Sequence, residues 1–268
     1  MAPNAPASVT ASATTTRGTG CGTVAEHAEQ AVQAERSLAV WSTLDDPRVL
    51  RLLLAARPGW VVLDAQHGAW TERTLTDVLL TLETDVPVWV RLGDDRARGI
   101  GRALDAGASG VVVPLVESVE QAAAAAAACR YPPTGRRSFG PMQGLVGRTA
   151  PGTAEADAAV RCAVMVETAA GLERVSDIAA VPGVDAVFVG PNDLSLSLGT
   201  TLDALLADDD EGAPLPAVVA ACRAAGVRAG AYGGDATRGR RLLELGFTDV
   251  VVATDTGLLS AAAAAAVR

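Results

Sequence analysis

Short apolar runs rich in Val, Ala and Leu return along this chain at intervals of about 25 residues, the length of one β/α unit. They are SLAVWS from Ser37, WVVLDA from Trp60, PVWVRL from Pro87 and GVVVPLV from Gly110, then CAVMVET from Cys162, AVFVGP from Ala186, RAGAYG from Arg228 and DVVVAT from Asp249. Their hydrophobicity is continuous rather than alternating, which predicts parallel strands buried on both faces. The intervening segments carry Ala, Leu and charges at helical spacing. These predict helices over Pro47 to Ala56, Glu72 to Thr84, Ala97 to Ala106, Ser118 to Cys129, Ala170 to Ala180, Ala213 to Ala225, Ala236 to Leu245 and Gly257 to Val267. Gly107, Gly226 and Gly246 each stand just ahead of a strand, where a left-handed helix cap is expected. Eight such units predict an α/β fold, a (β/α)8 TIM barrel, with a doubly wound open sheet as the alternative.

The flanks differ in character. Residues 1–23 are small and polar without apolar periodicity, and are expected to be a disordered extension. They lack the apolar centre of a secretory signal, and their single arginine is thin support for a transit peptide. A helical pattern runs from Val24 to Arg36, so residues 24–268 read as one barrel domain. Two connections are long, Arg130 to Arg161 and Asn192 to Val227. The first, with adjacent Arg136 and Arg137 among Pro and Gly, reads as a surface connection, a lid, or an arm toward a neighbouring subunit.

Charge and composition narrow the function. A net charge of −9 argues against a nucleic-acid partner, and no apolar run approaches the span of a bilayer. Four widely separated cysteines give no thiolate metal site and fit a cytoplasmic protein. There is no lysine: all 22 basic residues are arginines, so a lysine Schiff base is closed as a catalytic strategy.

A barrel concentrates chemistry at the C-terminal ends of its strands. Those ends carry Asp64, Gln66 and His67, then Arg91, Glu117, Glu167 and Asp193. Glu167 and Asp193 could each cap a following helix, but as neighbours on adjacent strand ends they would repel unless a cation lay between them. Two carboxylates with waters and a chelating substrate suit Mg²⁺ or Mn²⁺, with Co²⁺ a further choice. Arg91 could hold the mouth by a salt bridge or stabilise a developing oxyanion. His67 is either an inert turn residue or a general base whose imidazole Asp64, three positions earlier, orients. If a short helix starts at Leu194, the amides of Asn192 and Asp193 form an anion site for a substrate carboxylate.

Together VVLDAQHGAW, VPVWVRL, LDAGASGVVVPLVESVEQA, CRYPPTGRRSFGP, VMVET and GVDAVFVGPNDLSLSLG make the chain resemble the HpcH/HpaI aldolases, from about Ser37 to the C-terminus. The likeness is to the 4-hydroxy-2-oxoheptanedioate and 2-dehydro-3-deoxyglucarate aldolase type. It implies a phosphoenolpyruvate/pyruvate-type barrel whose last helix packs on a partner subunit, in a hexamer built as a trimer of dimers. It implies metal-dependent class II cleavage of a 4-hydroxy-2-oxo acid to pyruvate, or a close 2-oxo acid, and an aldehyde, through a metal-stabilised enolate and with no organic cofactor. By the same resemblance Glu167 and Asp193 bind the metal, Arg91 supports the enolate, and His67 with Asp64 moves the proton. Gly190, Pro191, Asn192 and Asp193 hold the pyruvate carboxylate, while Asp105 and Arg137 match positions near the site that a neighbouring subunit could supply. Two residues depart from the family pattern: Gln66 where relatives usually carry Glu, and Met165 where many carry Gln. A malyl- or citramalyl-CoA lyase, a decarboxylating relative of macrophomate synthase, and a non-catalytic barrel binding a metal–oxo-acid complex are the competing readings.

Overall fold

The computed structural model describes residues 36–268, so the expected N-terminal extension and the helix from Val24, with His27 and Cys21, lie outside the described residues. Eight strands close a parallel barrel in sequence order: β1 Ser37–Ser42, β2 Trp60–Asp64, β3 Val88–Arg91, β4 Gly110–Val113, β5 Arg161–Val166, β6 Ala186–Val189, β7 Arg228–Tyr232 and β8 Asp249–Thr254. The ring is sealed by β1 on β8, whose register shifts between Ala39 and Val40. The open-sheet alternative is thereby excluded.

The helices are α1 Pro47–Ala55, α2 Glu72–Thr81, α3 Ala97–Ala106, α4 Val119–Cys129, α5 Thr153–Ala159, α6 Ala169–Glu173, α7 Val175–Ala179, α8 Pro191–Ser197, α9 Leu202–Ala207, α10 Pro214–Ala225, α11 Ala236–Glu244 and α12 Asp255–Ala266. Their starts follow local chemistry: Asp46, Thr71, Ser118, Thr201 and Asp235 each accept a first-turn amide with the side chain. The expected caps hold, with Gly107, Gly226 and Gly246 at φ of 112°, 71° and 102°. The segment read as one helix from Ala170 breaks at Arg174 into α6 and α7.

Two apolar layers result. Leu63, Val90, Val111, Val164 and Val187 face outward against the helices. Trp41, Trp60, Trp89, Met165 and Phe188 fill the barrel interior, with Trp60 and Trp89 at 4.6 Å between centroids. Large rings need absent neighbours: a Cβ on Gly110 would stand 2.9 Å from the Trp89 ring, and one on Gly230 would stand 2.5 Å from Phe188.

The last helix breaks the pattern. Asp255 is fully buried, yet every residue after it is exposed, including Leu258 and Leu259. No helix among the described residues is long and apolar enough to cross a membrane.

The long segment after α4 returns the chain to the start of β5, at the end of the barrel opposite the strand C-termini. It therefore cannot be a lid over this chain's own mouth, and that expectation is corrected. It is held by the Tyr131 amide on the Asp157 carboxylate, the Arg148 guanidinium on the Leu80 carbonyl and the Arg137–Asp105 pair, while Phe139 and Leu145 stay exposed.

Candidate active site

A cavity of about 330 Å³ opens at the C-terminal mouth, lined by Trp41, Thr43, Asp64, His67, Arg91, Met165, Gly190, Asn192, Asp193 and Tyr232. Parallel strands in register deliver these groups to one level; Asp64 pairs directly with Arg91, and Met165 with Phe188. A cleft of similar size between α2 and α3 is edged by charges that satisfy one another, Glu72 meeting Arg102 at 2.9 Å.

Asp64 and Arg91 form the rigid base. Arg91 Nε donates to Asp64 Oδ1 at 2.9 Å and Nη2 donates to Oδ2 at 2.6 Å, a bidentate buried pair. Trp41 Nε1 donates to Oδ2 at 3.1 Å, and its ring lies 5.0 Å from the guanidinium carbon. The amides of Gln66 and His67 complete the set on Oδ1, at 3.0 and 3.2 Å. Burial works to raise the Asp64 carboxyl, but the Arg91 bonds and charge, with the Trp41 and Gln66 donors, outweigh it and hold the group below its ordinary value.

This arrangement corrects one expectation. Asp64 does not orient the His67 imidazole: its five donors use the acceptor capacity of a carboxylate, and it grips the His67 main chain instead. Of the two open readings of Arg91, the salt bridge at the mouth is present. Two of its nitrogens anchor it, and Nη1 takes no part in the pair.

Glu167 and Asp193 differ in setting but share a lack of cation partners among the described residues. Glu167 is 2 % exposed, and its Oε1 accepts the Leu115 amide at 2.9 Å. Leu115 holds a left-handed backbone at φ 55° to make that bond. Burial is the main force raising the Glu167 carboxyl; the Leu115 bond opposes it, the Asp193 charge adds to it, and Arg91 and His67 act against it. Glu167 Oε2 meets no donor among the described residues, and Gly190 leaves it room, since a Cβ there would lie 2.6 Å away. Asp193 is exposed on the first turn of α8 and has no ion pair among the described residues. Two carboxylates near enough to feel each other, neither neutralised by an arginine, fit a divalent cation completed by waters and a chelating substrate.

The helix after β6 begins at Pro191, three residues earlier than expected, because proline is pre-set for a first helical position. Its buried ring closes that turn, and the first bond is the Leu194 amide on the Gly190 carbonyl. The amides of Asn192 and Asp193 are therefore without intrahelical acceptors.

Other expected residues fall elsewhere. Gln66 stands beside the cavity rather than in its lining, and its side-chain oxygen is buried without a donor. Glu117 is exposed, with its amide on Gln121. Asp105 and Arg137 pair at 2.8 Å, with Arg137 stacked on Tyr131, but near the end of α3 and just beyond α4. Those helix ends lie at the far end of the barrel, so within one chain neither residue joins the mouth. Conversely, Trp41, Thr43, Tyr232 and Leu115 went unnoticed in the sequence. The aromatic residues closing WST and AYG could have been flagged as strand-end groups, whereas Leu115 carried no signal, because its role lies in its backbone.

The closed barrel and the gathering of acids, arginine and histidine at its mouth have the form of a TIM-barrel enzyme. Comparison with known proteins makes the class specific: residues 37–262 match the HpcH/HpaI aldolase/citrate lyase family. The chain belongs to that family, and it is a carbon–carbon lyase. It is 36% identical over 230 residues to a hydroxypyruvate/pyruvate aldolase of Pseudomonas aeruginosa, covering 84% of this chain and 85% of that one. It is 34% identical over 225 residues to a 5-keto-4-deoxy-D-glucarate aldolase of Salmonella paratyphi C, covering 82% and 87%. Among solved structures, a family protein of Burkholderia cenocepacia J2315 superposes with a TM-score of 0.78 at 28% identity, covering 90% and 97%. CitE of Mycobacterium tuberculosis, in complex with magnesium and pyruvate, shares the fold at a TM-score of 0.55 and 19% identity, covering 84% and 88%.

Proposed function

We propose that this enzyme is a divalent-metal-dependent class II aldolase that reversibly cleaves a 4-hydroxy-2-oxo acid to pyruvate, or a close 2-oxo acid, and an aldehyde. The observation that carries the reading is the pair of uncompensated carboxylates, Glu167 and Asp193, sharing one mouth with an immobilised arginine and a histidine. Mg²⁺ or Mn²⁺ on those carboxylates would polarise the 2-oxo group of a chelating substrate. The free amides of Asn192 and Asp193 take the substrate carboxylate. His67, directly or through a water, takes the proton of the C4 hydroxyl as the C3–C4 bond breaks and that hydroxyl becomes the aldehyde. The bond's electron pair moves toward the 2-oxo oxygen, where Arg91 Nη1 offers its donors to the developing charge. Protonation at C3 then gives pyruvate.

The non-catalytic reading has less support, because binding alone needs neither a base nor a clamped arginine at the reacting end. Incubation with pyruvate and Mn²⁺ in D₂O tests this without a guess about the aldehyde. Exchange of the C3 protons is expected, and EDTA should stop it together with pyruvate release from racemic 4-hydroxy-2-oxopentanoate. Pyruvate that binds with Mn²⁺ yet exchanges no protons would mark a binding protein. His67→Ala is expected to keep Mn²⁺ affinity while losing about 10²–10⁴-fold in cleavage rate, the range of a general base. Equal losses of metal affinity and rate would remove His67 from that role.

The exposed apolar face of α12 and the remote Asp105–Arg137 pair also support a homo-oligomer, in which α12 packs on a second copy. Sedimentation of the full chain measures this directly.

A further inference from the structure

Asp255, the first residue of α12, is fully buried and has no cation partner among the described residues. A buried carboxylate without a counter-ion is costly unless donors surround it. Here five do. Oδ2 accepts the amides of Thr43 and Leu44, both at 2.8 Å, and the Ser42 hydroxyl at 3.1 Å. Oδ1 accepts the Thr43 hydroxyl at 2.7 Å and the Thr256 amide at 2.8 Å. Four of the five come from the loop after β1, more than 200 residues away in sequence.

That loop in turn holds the turn that carries His67. The Thr43 carbonyl accepts the Ala69 amide at 2.8 Å, and Ser42 Oγ accepts Trp70 Nε1 at 3.2 Å. Gly68 is pressed between the two sides, since a Cβ there would lie 2.4 Å from the Asp64 carbonyl and 3.0 Å from that of Thr43. His67 is thus suspended between Asp64, which takes its own amide, and Thr43, which takes the amide two residues on.

We propose that Asp255 is a positioning residue: it sets the Ser42–Leu44 loop, and through it the placement of the His67 imidazole at the barrel mouth. The catalytic part of this assignment rests on the aldolase reading; the structural part does not. It also makes the root of the exposed helix α12 continuous with the mouth, by hydrogen bonds alone.

Asp255→Asn keeps the shape but turns an amide N–H₂ toward groups that are themselves donors. Hydrogen–deuterium exchange of the full chain is expected to quicken about tenfold over residues 42–46 and 64–70, with β4 to β6 unchanged. Unchanged exchange over 64–70, or uniform acceleration everywhere, would overturn the assignment. If Asp255→Asn does not fold, Ser42→Ala removes the branch to Trp70 and one of the five donors to Asp255, leaving the Thr43 and Leu44 bonds in place, and is expected to quicken 64–70 by about threefold; no change there has the same adverse meaning. In catalysis, Asp255→Asn is expected to lower the cleavage rate about tenfold or more, with Mn²⁺ affinity kept within about twofold and no further loss in a His67→Ala background. An equal additional loss in that background would show that Asp255 does not act through His67. Wild-type protein that cleaves no 4-hydroxy-2-oxo acid would sink the aldolase reading, while the exchange measurement still decides the positioning.

Discussion

Glu167→Ala is expected to abolish metal-dependent cleavage, lowering the rate by at least about a thousandfold, while the protein stays folded. The side chain is buried and its charged form is disfavoured there, so removing it lifts a penalty as well as deleting the Leu115 contact. What disappears is one of two carboxylates able to hold the cation, whose polarising contribution is worth several kcal/mol, about 1.4 kcal/mol per decade of rate. Asp193→Ala is expected to fail in the same way with even less effect on folding, because Asp193 is exposed and has no ion pair among the described residues. Titration calorimetry with Mn²⁺ and thermal melting separate the two quantities. A Glu167→Ala protein that binds Mn²⁺ as the wild type does would remove this residue from the metal site.

Asp64→Ala is expected to damage stability and activity together. It leaves Arg91, 9 % exposed, without its bidentate partner at the top of the barrel. Stranding one member of a buried ion pair typically costs about 3–5 kcal/mol. The Trp41 and His67 main-chain contacts are lost with it, so Arg91 and the His67 turn both loosen and cleavage falls beyond the stability effect. The pH dependence has a definite sign. The folded carboxyl lies below the ordinary 3.8, so its stabilisation is complete above that value and is lost as the pH falls through the lower folded one. Urea unfolding at pH 7 should therefore show the full deficit of the variant, and the gap should close only in strong acid. A deficit under about 1 kcal/mol at pH 7, the range of an exposed pair, would contradict the buried-pair description.

Much of this was legible in the sequence because the signals are local. A parallel strand covered on both faces must be apolar throughout, so eight continuous runs marked eight strands, and helix ends were marked by Gly, Pro, Ser, Thr and Asp with known backbone preferences. The break at Arg174 had no such mark, because Ala-rich sequence on either side supports helix equally well. Arg91, Glu167 and Asp193 stood out as candidates because barrels gather function at strand ends, and each lies at or shortly after the end of an apolar run.

What the sequence could not express is which groups spend their hydrogen bonds on which others. Proximity of three positions suggested that Asp64 serves the His67 imidazole, but closure of the barrel puts the β3 arginine and the β1 tryptophan against that carboxylate first. Family position suggested that Asp105 and Arg137 lie near a site, from a neighbouring subunit if not their own, and α3 and α4 end at the far side of their own barrel. Asp255 carries no signal of its own in the sequence; it is the meeting of β1 and β8 that wraps it in donors from the other end of the chain. The sequence by itself determined the eight strands, most of the helices, the absence of a lysine nucleophile and the acids, arginine and histidine available at strand ends, since each depends on a residue and its near neighbours. Only the tertiary structure decided the partners, because a carboxylate's few lone pairs go to whichever donors the closed ring brings within 3 Å, however distant they are along the chain.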